Sequence, residues 1–275
     1  MNDPFTQWLD ALEPRHTQTL RFQELRRAIQ ALSSLYVERR GRIGRGMALD
    51  GVGKRAAFAC YFAPLHFLLV RETVRSLGAG NAPPGAILDL GCGTGAAGAA
   101  WALEMDPRPK VIGVDRSPWA LHEAKWTYGA FGLQASVSSL DVDTLRLPPD
   151  TGVIAAFAVN EMAETSRDRV RRELLTGARR GAPILVIEAI ARRPAPWWAG
   201  WAKEWKAVGG LENEWRFQVQ LPERLRVLDK AAGLNHRELT GRSLWLPGQA
   251  EQRKSSLHMS EPGQQPSSLK SKLLI

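Results

Sequence analysis

The stretch ILDLGCGTGAAGAAWAL, residues 87–103, holds the densest chemistry in the chain. Gly91, Gly93 and Gly95 fall between an apolar run that reads as a strand and an Ala-rich run that reads as a helix. Glycines at this spacing let the backbone approach a ligand where a Cβ would collide, and they permit φ > 0. Asp89 stands two residues before the first of them. Asp115, 20 residues after Gly95, ends the next apolar run, VIGVD, where a carboxylate can accept both hydroxyls of a ribose. Two kinds of nucleotide compete for such a loop. A dinucleotide needs G-x-G-x-x-G/A with its pyrophosphate on the following helix start, and residues 91–96 meet that pattern only through Ala96. Asp89 would repel a pyrophosphate; it suits a ligand that carries an ammonium and a sulfonium.

S-adenosylmethionine (SAM) is such a ligand, and D-x-G-x-G-x-G followed by an acid at the end of the second strand resembles the class I SAM-dependent methyltransferases. The likeness covers residues 86 to about 190. It implies a doubly wound, Rossmann-like α/β fold with a mostly parallel sheet of seven strands. It also implies that Gly91, Gly93 and Gly95 face the methionine part, that Asp89 helps hold the amino group through water, and that Asp115 binds the ribose. Asp141, in SLDVDTLRLP, matches the position that contacts adenine, and Asp143 is near enough to exchange roles with it. An acid after a strand also serves as a helix cap.

The acceptor side carries weaker signals. The fourth apolar run ends in AVNEMAE, residues 158–164. In amino-directed nucleic-acid methyltransferases Asn or Asp here precedes Pro-Pro and an aromatic; Glu161 and Met162 stand in place of the prolines, so methylation of a flipped base amine is not supported. Asn160 and Glu161 remain the first catalytic candidates and Glu164 the next, with a capping role for Asn160 or Thr165 as the alternative. Arg192 and Arg193, past the fifth run, are candidate contacts for an anionic substrate, and Glu188 either faces the pocket or pairs with one of them. His122 reads as a surface-helix residue and His66, within an apolar run, as a satisfied core residue.

RAAFACYFAPLHFLLVRETVRSL, DLGCGTGAAGAAW, VIGVDRSPWALHEAKW and a strand ending in Asn-Glu are together similar to the ribosomal small-subunit methyltransferase-like family, over residues 55–190. That likeness implies contact with small-subunit rRNA. Members often carry a later cysteine cluster for a metal or iron–sulfur centre; the two cysteines here are Cys60 and Cys92, so no metal is expected. The expected activity is methyl transfer from SAM to rRNA or a ribosomal component. The alternatives are a small-molecule acceptor, or a non-catalytic rRNA-binding assembly factor.

Elements that would position these residues follow from periodicity. Leu20, Leu25, Ile29, Leu32 and Leu35 recur at helical spacing and leave Arg21, Arg26 and Arg27 wet. Ala56–Val70 is too short to span a bilayer and reads as a buried helix pair broken near Pro64. From Ala86, the runs 86–90, 111–115, 135–141, 153–160 and 183–189 alternate with amphipathic segments, as parallel strands buried on both faces require. Ser117-Pro118 supplies a cap and a first-turn proline. Beyond lie a Trp-rich helix (Trp197, Trp198, Trp201, Trp205) read as core packing, a strand at EWRFQVQL, a helix at PERLRVLDKAAG, and ELT with SLWL as a closing ribbon. The expected organisation is a helical extension over 1–80, with an Arg/Gly loop at 39–55, a SAM-binding domain over 81–247 and a disordered tail over 248–275.

Lys and Arg total 37 against 28 Asp and Glu, a net charge of +9 and a pI near 10.0. That balance favours polyanion partners, RNA above all. A polar, acidic start with no signal or membrane segment points to the cytoplasm.

Overall fold

The computed structural model describes residues 3–38, 51–190 and 195–248. A seven-stranded sheet has the order β3-β2-β1-β4-β5-β7-β6. β1 (Ala86–Leu90), β2 (Lys110–Asp115), β3 (Ala135–Ser139), β4 (Thr151–Ala156) and β5 (Ile184–Glu188) are parallel; β7 (Glu238–Leu246) is antiparallel to both β5 and β6 (Leu211–Gln218). This is the doubly wound α/β architecture expected from the alternating runs; helices provide the crossovers from β1 to β2, β2 to β3 and β4 to β5, whereas β3 reaches β4 through residues 140–150, which hold only a 3-10 turn at Val142–Thr144.

Strand parity divides the sheet into two cores. Successive side chains alternate between faces, so Ile87 of β1 and Val111 of β2 join one cluster, and Leu88, Leu90 and Val114 join the other. The first cluster is covered by α1 (Pro4–His16), α2 (Phe22–Glu38), α4 (Ala63–Leu77), α5 (Ala96–Ala102), α6 (Pro118–Ala130) and α9 (Glu223–Ala231); the second by α7 (Glu164–Arg179) and α8 (Trp198–Ala207). The N-terminal helices thus share a core with the sheet. Trp8 is 1% exposed and packs against Phe67 of α4 and Phe131 after α6, at ring-centroid distances of 5.7 and 5.3 Å. Leu25, Ile29 and Leu32 are buried as their spacing requires. Trp198, Trp201 and Trp205 are also buried, with Trp201 stacked on Trp205.

Several expectations need correction. The apolar stretch around Pro64 is one continuous helical run: α3 (Val52–Ala57), a π-helical turn at Phe58–Phe62, then α4. Proline cannot donate to the carbonyl four residues back, and the wider turn, in which Ala63 N–H bonds the Phe58 carbonyl, absorbs that loss without a break. Consequently residues 52–55 of the Arg/Gly segment are helical; its residues 39–50 lie outside the described residues, as does the tail from 249. ELT and SLWL are parts of the single strand β7, and the ribbon is β6 with β7. β4 stops at Ala156, four residues before Asn160. β3, at the sheet edge, is largely exposed, so burial on both faces fails there. Ser117 does cap α6, its Oγ accepting from the Ala120 N–H at 3.3 Å with Pro118 in the first turn. Among the described residues no helix is long and apolar enough to cross a membrane.

Candidate functional site

β1 lies between β2 and β4, the point where the strand order reverses, and ligands of open α/β sheets bind beyond the carboxyl ends of strands at such a point. Three segments converge there: the glycine loop after β1, Asp115–Ser117 after β2, and residues 157–161 after β4. The loop is knit to β2 by hydrogen bonds from Gly91 and Cys92 N–H to the Val114 carbonyl, at 2.9 and 3.0 Å. Gly91 has φ +70° and faces Ala158: a Cβ there would stand 2.5 Å from the Ala158 Cβ, so only glycine lets loop and β4 end approach this closely. Gly93 and Gly95 also hold positive φ.

Asp89 shares the parity of Ile87 and points toward α5 and α6. It is 1% exposed, and its Oδ2 accepts from Gly98 N–H at 2.9 Å and from Tyr128 O–H at 2.8 Å. Its strand partner is Gly113, where a Cβ would meet the Tyr128 ring at 3.0 Å. The bare glycine lets Tyr128 lie across the sheet and reach the acid. Burial raises the Asp89 carboxyl from 3.8 to about 6; the Tyr128 and Gly98 hydrogen bonds oppose that rise and the Asp115 carboxylate adds to it. Asp115 accepts from Gly93 N–H through Oδ2 at 3.0 Å and from Ser117 N–H through Oδ1 at 2.8 Å. Each carboxylate oxygen has a second lone-pair site, so Asp115 retains capacity for ribose hydroxyls. Thr94 Oγ1 is buried in the same loop without a hydrogen-bond partner.

Asp141 stands exposed two residues after β3, at the entry of a 3-10 turn (Val142–Thr144), and its backbone carbonyl accepts from Thr144. The Asp143 side chain, Arg192 and Arg193 lie outside what is described. Asn160 is bound on both sides: its N–H donates to Glu188 at 3.1 Å and its Oδ1 accepts from Trp197 Nε1 at 2.9 Å. It does not cap α7, which starts after Ala163 with no side-chain cap, and neither does Thr165. Glu161 sits exposed on the rim, yet the protein crowded around it, and then the Asp115 carboxylate, raise its pKa, with Arg116 opposing. Glu188 is 3% exposed and opposes Arg242 across β5 and β7; burial lifts its carboxyl to about 8 against the pull of the Asn160 N–H and Arg242. Among the described residues the Val159 N–H also lowers that value, while the Glu161 carboxylate raises it. Glu164 begins α7, exposed.

Aromatic groups that the sequence reading passed over meet at this edge. Phe157, directly after β4, has φ +58°, a conformation that costs a bulky residue on the order of 1–3 kcal/mol. Its ring stacks on His66 of α4, centroids 4.0 Å apart. Phe58 meets His66 edge-on at 5.9 Å, and its ring lies 3.8 Å from where a Gly93 Cβ would project. His66 is half-buried, not enclosed in the core; His122 is exposed. No residue type or spacing announces a positive φ at a phenylalanine. Among the described residues no cluster of three His, Cys, Asp or Glu could hold a metal.

Residues 87–181 match the family profile of a methyltransferase domain. No curated protein sequence matches the chain. Solved structures offer distant likenesses. A precorrin-6y C5,15-methyltransferase from Geobacter metallireducens shares 13% identity over 65% of this chain and 86% of that one, with a TM-score of 0.42. A putative O-methyltransferase from Nostoc punctiforme shares 12% over 80% and 69%, at 0.49. The plantazolicin methyltransferase BpumL, solved with S-adenosylhomocysteine (SAH), shares 11% over 86% and 99%, at 0.48. Fold, glycine loop and matched domain define a SAM-dependent methyltransferase, with SAM as its cofactor. The donor set fits that ligand: a glycine cradle and two carboxylates suit an ammonium and a ribose and would oppose a pyrophosphate.

Proposed function

We propose that this protein transfers a methyl group from SAM to small-subunit rRNA or a component bound to it, as the likeness to the ribosomal small-subunit methyltransferase-like family implies. Bound SAM supplies an activated methyl group and a neutral thioether leaving group. The chain has to bind it, align the acceptor behind the methyl and exclude water. Gly91, Gly93 and Gly95 would cradle the methionine part, Asp89 would favour its ammonium, Asp115 would accept the ribose hydroxyls, and Asp141 would meet the adenine.

The observation that carries the cofactor assignment is the pair of loop-edge acids, Asp89 and Asp115, on one face of the sheet. Removing Asp115 should weaken SAM binding by about 1–3 kcal/mol, the scale of leaving polar groups unpaired. Calorimetric titration of Asp115→Ala with SAM and SAH measures it, and unchanged affinity would reject the ribose role.

Support for an RNA acceptor comes from the net charge of +9 and a groove of about 450 Å³ between α7 and the turn after β3. Arg146, Arg169 and Arg172 line it, and Arg169 makes no hydrogen bond or ion pair with the described residues. Phosphate contacts release counterions, so log affinity should fall linearly with log salt, and Arg169→Ala should reduce that slope by about 1. Filter binding of small-subunit rRNA fragments across salt concentrations tests this; no RNA affinity at low salt would sink the RNA reading. A small-molecule acceptor is the second reading, favoured by the half-enclosed Phe58, His66 and Phe157 rings. Labelled-methyl transfer to small molecules without RNA would support it.

A further inference from the structure

We propose that two copies of this chain associate by pairing β6 with β6 across a two-fold axis, so that the sheet runs on from one copy into the other. β6 stands four strands away from β1, and the pairing does not involve the cofactor loop.

The two edges of the sheet differ. β3 closes one side with five small, mostly polar residues, ASVSS. β6 closes the other with eight, LENEWRFQ, in an unbroken register against β7 that holds no bulge and no proline. The Val219 N–H bonds the Arg237 carbonyl at 3.0 Å, which fixes the sense of that ladder. Alternation then turns the N–H and C=O of Asn213, Trp215 and Phe217 toward β7, and those of Glu212, Glu214, Arg216 and Gln218 outward. Among the described residues no strand meets that outward row. A long, regular edge of this kind is a template for another strand.

The side chains select which strand and which register. Antiparallel pairing of β6 with itself sets outward residues opposite one another. Centred on Glu214 it would bring the two copies of that acid face to face, and centred on Arg216 the two guanidinium groups. Centred on Trp215 it sets Glu214 against the second copy's Arg216 and Arg216 against its Glu214. Glu212 then meets Gln218, Trp215 meets its own counterpart and Leu211 meets Val219. Opposite charges and aromatic pairs are favourable across strands, and like charges are not. The same register overlaps residues 211–219 completely. Glu214 keeps Arg242, which it opposes on β7, and Arg216 keeps Glu238, 3.6 Å away; both are exposed, so each meets the second copy's charge in addition. Leu211, 52% exposed, is brought to Val219, beside a groove of about 450 Å³ lined by Phe5, Leu68, Phe217 and Leu239. A two-fold contact uses the same patch on both copies, so association stops at the dimer.

Sedimentation equilibrium of the full chain tests this between about 1 and about 100 μM, where the upper end should give twice the 30.4 kDa chain mass. Glu214→Arg sets cation against cation and Arg216→Glu sets acid against acid, so either alone should raise the dimer dissociation constant about tenfold or more. Mixing the two variants should restore a dimer, because one then carries two cations along the edge and the other two anions. The doubly swapped chain, Glu214→Arg with Arg216→Glu, should dimerise with itself. Restored association also shows that the variants fold.

A wild-type chain that stays at 30.4 kDa at the highest concentration would overturn the proposal, and that measurement needs no variant to fold. So would a dimer that resists either substitution, or one that both abolish and neither the mixture nor the doubly swapped chain recovers.

Discussion

Asp89→Asn should make the free protein more stable and a poorer SAM binder. Asparagine keeps an oxygen where Oδ2 accepts from Gly98 and Tyr128, so both hydrogen bonds survive while the buried charge goes. The carboxyl titrates at 3.8 ordinarily and at about 6 in the fold, a difference worth about 3 kcal/mol at 1.36 kcal/mol per pH unit. The raised folded value fixes the sign. Below pH 3.8 the acid is neutral in both states and costs nothing. Between there and pH 6 folding must desolvate or protonate it, and above pH 6 the full cost applies. The variant should therefore gain about 3 kcal/mol at about pH 7.5 and roughly half that at about pH 5, read from urea unfolding at each pH. SAM affinity should move the other way, falling about 5- to 150-fold at neutral pH as the ammonium loses its carboxylate. In the wild type the same affinity should weaken as pH drops through 6. A variant less stable than wild type at pH 7.5, or a gain that does not shrink toward pH 5, would refute the account of Asp89 as a desolvated charge retained for binding.

Two further outcomes test the packing of the N-terminal helices. Glu123 of α6 is held by Arg15 Nε at 2.8 Å and lies 3.2 Å from His16 Nε2; burial raises its carboxyl, but these hydrogen bonds outweigh it and set it at about 2. Its stabilisation should be full above about pH 4.5 and fade as pH falls toward 2, and Glu123→Ala should cost about 3–5 kcal/mol at neutral pH by stranding Arg15. Denaturant unfolding reads both, and a loss under 1 kcal/mol would demote the staple to a surface contact. Trp8→Ala should cost about 3–5 kcal/mol in one cooperative transition, because the ring fills space between α4 and the end of α6. A separate early transition of the N-terminal helices, with the sheet unmoved, would show instead that they fold as their own unit.

What was legible in the sequence was whatever local chemistry enforces. Apolar runs of strand length gave β1, β2 and β5 nearly to the residue, since strands buried on both faces tolerate little else. Ser117-Pro118 announced α6, and the glycine loop with Asp89 and Asp115 announced the cofactor, because positive φ and charge leave marks in residue type. The misread elements depend on relations between distant segments. A proline inside an apolar helix signals a break when local rules are applied, but the turn before it widened into a π-helical one that keeps the run intact. That wider turn carries Phe58, which lies over Gly93, and Tyr61, whose hydroxyl bonds Asp229 of α9. The end of β4 was overextended for a similar reason: VIAAFAVN is apolar enough to continue as a strand, and only the left-handed turn at Phe157 stops it. His66 looked like a core residue because its own helix is apolar around it. Its partner is 91 positions away in a conformation that phenylalanine rarely takes, so no pattern along the chain could report the pair. The strain at Phe157 sets a limit on what that corner can be. Packing alone would be served by ending β4 with a relaxed turn, and a residue free to relax would swing its ring away from His66. Holding that ring against His66 is thus what the strained turn at Phe157 accomplishes.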